Sequence, residues 1–188
     1  MHGMIFVELK RFVVATLGSP AWNQIAARAG VGSRLLLPSE TYPDEELVRL
    51  IEAASQLSGK PAAELVHAFG VALAPVLLTK YIAWVSPSWR TIDLLMQTES
   101  TMHRMVRMKA PGASPPELTI ERIAPDEVRI RYGSQRKLCA LARGLVQGLA
   151  DHYGETVTIS ETSCMLRGGA SCDISVRVDA PTRDRRAS

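Results

Sequence analysis

Three groups of residues in this chain have the types and spacing to do chemistry. Tyr132, Ser134 and Arg136 lie at alternate positions where the period-two run Glu127 to Tyr132 gives way to Leu138, Leu141, Leu145 and Leu149 at helical spacing. Two hydroxyls and a guanidinium at a strand-to-helix junction, beside the N–H groups of a helix start, can hold a carboxylate or phosphate by charge-assisted hydrogen bonds. The plainer reading of the same residues is a capped helix, with Ser134 as N-cap and Arg136 in solvent. His103, between Met102 and Met105, is either a packed or surface histidine or a metal ligand. Cys139, Cys164 and Cys172 cannot all pair within one chain, and so are buried thiols or ligands.

The elements that must position these groups are legible in outline. Residues 3–17 carry the helical stripe Ile5, Leu9, Phe12 and Val13, closed by Gly18, and Ser19-Pro20 opens a second helix with serine as N-cap, ending near Gly30. Thr41-Tyr42-Pro43-Asp44 is a capping sequence for a helix whose inner stripe is Leu47, Leu50, Ile51 and Ala54, ended by Gly59. Pro61 opens a long apolar helix through Leu65, Phe69, Leu73 and Leu77, in which Pro75 must form a kink or mark the last turns. Helical spacing resumes from Trp89 to Met108 and stops at Pro111-Gly112. From Glu117 the period becomes two: a hairpin turning at Pro125-Asp126, a helix over 135–153 capped by Gly154, then runs at 156–159 and 172–178 flanking Gly168-Gly169. The expected fold class is α+β, a helical lobe followed by a four-stranded antiparallel sheet crossed by one long helix.

Length and composition narrow the partners. At 188 residues, one domain of two lobes is expected, and 46% hydrophobic with 22% charged residues is ordinary for a globular chain. No apolar run approaches the roughly twenty residues that span a bilayer, so no membrane partner is expected. Glu8, Lys10 and Arg11 interrupt the early apolar stretch and leave no signal-peptide pattern, which points to the cytoplasm. The net charge of +3 comes from scattered residues, and Arg183, Arg185 and Arg186 lie in a polar tail without aromatic neighbours, so nucleic acid is not expected either.

Tyr132-x-Ser134-x-Arg136 downstream of His103, with Met1-His2-Gly3-Met4-Ile5, Gly18, Ser58-Gly59-Lys60 and Pro115-Pro116 in the same order, resembles the H-NOX family of haem nitric-oxide/oxygen-binding domains. The resemblance covers 1–178 and leaves 179–188 as a polar tail. It implies haem b between a distal helical lobe, about 1–60, and a sheet lobe, about 61–178. His103 would ligate the iron, and Tyr132, Ser134 and Arg136 would hold the propionates. Pro116 would press on the porphyrin and bend it, and Ile5 would touch the ring from the distal side. Leu141 stands where oxygen-binding members carry tyrosine, and Leu9 and Leu73 are apolar at the supporting positions. Such a pocket offers dioxygen no hydrogen bond but accepts NO and CO.

The three cysteines also match bacterial H-NOX proteins whose zinc site has three cysteines and one histidine. Here Glu161 stands at the histidine position; a carboxylate can ligate zinc, and His152 or water are the other candidates. In the family NO weakens or breaks the iron–histidine bond and the signal passes to a partner, commonly a histidine kinase or a diguanylate cyclase. The chain has neither motif and is not expected to be an enzyme. The competing readings are a haem peroxidase or oxygenase, which needs distal acid–base groups, and a haem-free ligand-binding adaptor of the same fold.

Overall fold

The computed structural model describes residues 1–109 and 114–180; Pro111-Gly112 and the arginine tail lie outside them. Helix α1 (Gly3–Leu17) ends at Gly18, whose N–H reaches Val14, and α2 (Ser19–Arg28) follows at once. Ser19 is not the cap predicted for it: Gly18 takes the N-cap and Ser19 already lies in the helix. Nor does Thr41 cap α3 (Asp44–Ser58), because it forms a backbone bridge with His2. Pro43 is the N-cap, without a side-chain bond, and Asp44, Glu45 and Glu46 complement the positive end of the helix instead.

Helix α4 (Ala62–Tyr81) continues past Pro75, which lies inside it. The proline removes the N–H that would bond the Val71 carbonyl, and that carbonyl lies against Gly148 of α7 (Cys139–Tyr153). The two helices meet backbone to backbone: the His67 carbonyl lies where a Cβ on Gly144 would be, and a Cβ on Gly70 would stand 2.6 Å from the Leu141 carbonyl. Contrary to the sequence reading, Ala62–Trp84 is long and apolar enough to cross a bilayer. It packs mainly against α7, burying Val66, Phe69, Gly70, Leu73, Ala74 and Leu78, but about a third of its most apolar stretch is enclosed, so that packing accounts for only part of its hydropathy.

Helix α5 (Thr91–Gln97) passes into a π-helical turn (Thr98–His103) and then α6 (Arg104–Lys109). Strands β1 (Glu117–Ala124), β2 (Glu127–Gly133), β3 (Val157–Ser163) and β4 (Cys172–Val178) form an antiparallel sheet in the order β1-β2-β4-β3, giving the expected α+β fold. β3 runs four residues further than its alternation predicted. Conversely, α7 starts at Cys139, not 135, because Ser134–Lys137 is a turn closed by the Lys137 N–H on the Ser134 carbonyl, with Lys137 left-handed at φ 51°. Two buried clusters result. One joins α1, α2, α3 and one face of α4; the other joins α5, the inner sheet face and the start and middle of α7.

Candidate functional site

Tyr132 is buried at the end of β2, opposite Cys172 of β4. Burial, against a hydrogen bond to Ser134, pushes its phenol above the usual tyrosine range. Ser134 does not cap α7; its Oγ accepts the N–H of Arg136 at 3.3 Å inside the turn. Nor is Arg136 in solvent: its Nε donates to Asp44 Oδ2 at 2.7 Å and its Nη1 to the Ser114 carbonyl. The N-terminal ammonium of Met1 stands 2.7 Å from the other Asp44 oxygen. Burial alone would raise the Asp44 carboxyl, but the hydrogen bonds from Met1 and Arg136 outweigh it and hold it below the ordinary range. Arg136 therefore holds a carboxylate, and it is one of the chain itself; the Tyr132 and Ser134 hydroxyls are engaged locally and not on Asp44. Asp44 left no local signal in the sequence, since it is 92 residues from Arg136.

His103 ends the π-helical turn with its side chain 15% exposed. Its Nδ1 lies 2.8 Å from Glu99 Oε2, while Arg107 donates to Glu99 Oε1 at 2.5 Å. Burial lowers the His103 pKa despite the carboxylate, so the ring is neutral near pH 7. Hydrogen bonds from Arg107 and His103 overcome burial at Glu99 and hold it ionised. With Nδ1 as the donor, Nε2 is the nitrogen left to ligate. Glu99 was missed by the motif-based reading; its i,i+4 spacing from His103 was the available signal.

The apolar space between the helices has a volume of about 260 Å³, with Leu9, Phe12, Val13, Phe69, Leu138 and Leu141 in its wall and Lys60 and Glu64 at its edge. Leu73 is buried in the same cluster, against which Ile5 packs. Pro116 is half-buried, just before β1. Of the residues expected to meet haem, Leu9 and Leu141 line this space, whereas His103, Tyr132, Ser134, Arg136, Pro116 and Ile5 are not in its wall. A histidine tied through Nδ1, a guanidinium that holds a carboxylate and an apolar wall are nonetheless the donor types that haem requires.

At the far side of Tyr132, the cysteines and Glu161 form one corner. Cys139 opens α7, Cys164 precedes the turn Met165–Arg167, Cys172 opens β4, and Glu161 follows Val157 and Ile159 on the inward rows of β3. One donor atom from each of the four lies within 4.8 Å of the others. Cys164 Sγ is 3.7 Å from Cys139 Sγ and 3.9 Å from Cys172 Sγ, and a tetrahedron with zinc–sulfur bonds of about 2.3 Å has edges of roughly 3.8 Å. Arg167 holds Glu161 Oε2 at 3.1 Å and Arg143 stands 4.0 Å from it, while Oε1 is buried without a hydrogen-bond partner among the described residues. Burial and the neighbouring thiols push Cys139 up to about 12, and burial also raises Cys172. Cys139 and Cys172 are therefore thiols until a cation displaces their protons. His152, the alternative fourth ligand, is exposed at the end of α7 with its ring edge on Tyr153, outside this group.

Comparison with known proteins bears on the family and the fold. The haem-NO-binding family (HNOB) matches residues 2–161. An H-NOX protein of Shewanella oneidensis solved in the Fe(II)NO state superposes with a TM-score of 0.89 at 27% identity, covering 96% of this chain and 100% of that one. The H-NOX domain from the same organism in the Fe(II)CO state gives 0.86 at 26% identity, with 96% and 100% covered. Unliganded Fe(II) H-NOX protein from K. algicida, 19% identical over 98% of this chain and 100% of its own, shares the fold at 0.86. No curated protein sequence matches the chain.

Proposed function

The chain belongs to the haem-NO-binding family, whose members are haem-based gas sensors, and from that premise we propose that it binds NO and CO at a ferrous haem b ligated by His103. The observation that carries the reading is the placement of His103: largely buried, with Nδ1 held 2.8 Å from Glu99 Oε2, which leaves Nε2 as the nitrogen free to ligate. When bound, the haem supplies an open iron position for the gas. The chain's residues do the rest. Arg136, with the Tyr132 and Ser134 hydroxyls, donates to the propionates, sharing the cradle with or displacing Asp44. Leu9, Leu73 and Leu141 keep water out and give dioxygen no donor. Ile5 would touch the ring from the distal side and Pro116 would press on it and bend it, between lobes of about 1–60 and 61–178.

The same proposal extends to the cysteine corner, where Cys139, Cys164, Cys172 and Glu161 bind one zinc. Support comes from the sulfur spacings, from the bare Glu161 Oε1 and from charge. Three thiolates and a carboxylate around Zn²⁺ leave an excess of negative charge that Arg143 and Arg167 offset. The protein works in the cytoplasm, where thiols stay reduced, and passes its signal to a histidine kinase or diguanylate cyclase rather than catalysing a reaction.

Absorption spectroscopy of the purified, haem-reconstituted protein tests the sensor. A Soret band that shifts with NO and with CO is expected. Turnover of peroxide would favour a haem enzyme, and failure to take up haem would favour an adaptor.

A further inference from the structure

The His103 ring nitrogen that faces away from the ligand position is not idle. Glu99 and His103 sit nearly one turn apart on the π-helical segment, which brings the carboxylate to 2.8 Å from Nδ1. The two carboxylate oxygens divide their work, Oε1 taking Arg107 and Oε2 taking His103. A metal-bound imidazole whose other N–H is given to a carboxylate gains imidazolate character and donates more strongly through its ligating nitrogen. Resting on the haem reading above, we propose that Glu99 is a positioning residue that strengthens the iron–His103 bond and keeps a share of it intact when nitric oxide binds.

The reasoning is a competition. Nitric oxide and His103 would compete for electron density at the same iron, so a histidine that donates more strongly would yield less readily to the gas. A histidine with only a backbone or water partner loses that competition more readily than one carrying a carboxylate on Nδ1. Arg107 sets how far the effect goes, because it draws part of the Glu99 charge away from His103. The fold thus sets the extent of NO-driven bond breaking through residue types on one turn, without touching the gas pocket. A simple ion pair holding the helix together would leave the iron unaffected, and that contrast makes the proposal testable.

The test uses haem-reconstituted full-length protein and the iron–histidine stretching band in the resonance Raman spectrum of the ferrous, ligand-free state. Its frequency should fall from wild type to Glu99→Gln and again to Glu99→Ala, whereas Arg107→Ala should not lower it. The ratio of six- to five-coordinate NO adduct should drop on the order of tenfold in Glu99→Ala. An unchanged band in both Glu99 variants, with haem bound, overturns this inference and leaves the sensor standing. A fall in Arg107→Ala as large as in Glu99→Ala also overturns it, since the pair would then matter only for shape. A wild-type protein without a Soret band overturns both readings.

Discussion

The cysteine corner and the His103 turn hold their donor atoms by opposite means. In the corner, the sheet, a helix start and a short turn fix the donors: Cys172 is locked opposite Tyr132, Cys139 opens α7, Cys164 precedes the turn Met165–Arg167, and all three thiols are buried. His103 sits instead on a π-helical turn, reached through short helical segments and steadied by Glu99 and Arg107, both partly in water. The corner resembles a place for an ion that stays. The turn resembles one for a ligand that has to respond, since π-helical turns are weak points of a helix and recur at functional sites.

If that contrast is right, the largest effect belongs to the turn. His103→Gly should abolish protein ligation to iron while leaving the propionate cradle, so that free imidazole restores the ferrous spectrum. An unchanged spectrum without imidazole would remove His103 from its role. Next comes Arg136→Ala, which strands the carboxylates it holds in a half-dry site; we expect a loss of haem affinity of about 3 kcal/mol, more than a hundredfold, read by haem transfer to an acceptor protein.

For the corner, zinc at a hundredfold excess over its dissociation constant should add about 2.7 kcal/mol, or roughly 5–11 °C in melting temperature. Cys164→Ser should lose this rise, and Glu161→Gln should weaken the metal by roughly ten- to a hundredfold. If elemental analysis finds no zinc and all three thiols titrate freely, the corner is packing and the comparison collapses. The smallest effect concerns acid. The folded Asp44 carboxyl has a pKa below its ordinary 3.8, so the stability it contributes is complete above that value and fades as pH falls through the lower folded value. In Asp44→Asn that part of the acid unfolding curve should flatten, as followed by circular dichroism.

Much of this was legible in the sequence, and what escaped has a common cause. Period-two and helical spacing located every strand and helix that carries a site residue, and Tyr132, Arg136, His103 and the cysteines stand out as residue types with chemistry. The start of α7 was placed too early because Lys137 adopts a left-handed backbone that no local residue signals. Asp44 was hidden for a different reason: acids in a first helical turn already have an explanation, so nothing marks one of them as reaching Arg136 across the fold. Glu161 was visible as a departure from a histidine, but its suitability depends on Arg143 and Arg167, which only the folded sheet brings to it.

The bare contact between α4 and α7 constrains how this sequence can change over generations. Every amino acid except glycine carries a Cβ, and at positions 70, 144 and 148 that single carbon collides with backbone of the opposite helix, which cannot turn aside as a side chain would. Those positions have no neutral alternatives, and any replacement would drive apart the two helices that hold Leu73 and Leu141. Mutational drift can therefore reshape the apolar space through leucines such as Leu9 and Leu141, whereas the glycine seam is fixed for as long as the fold lasts.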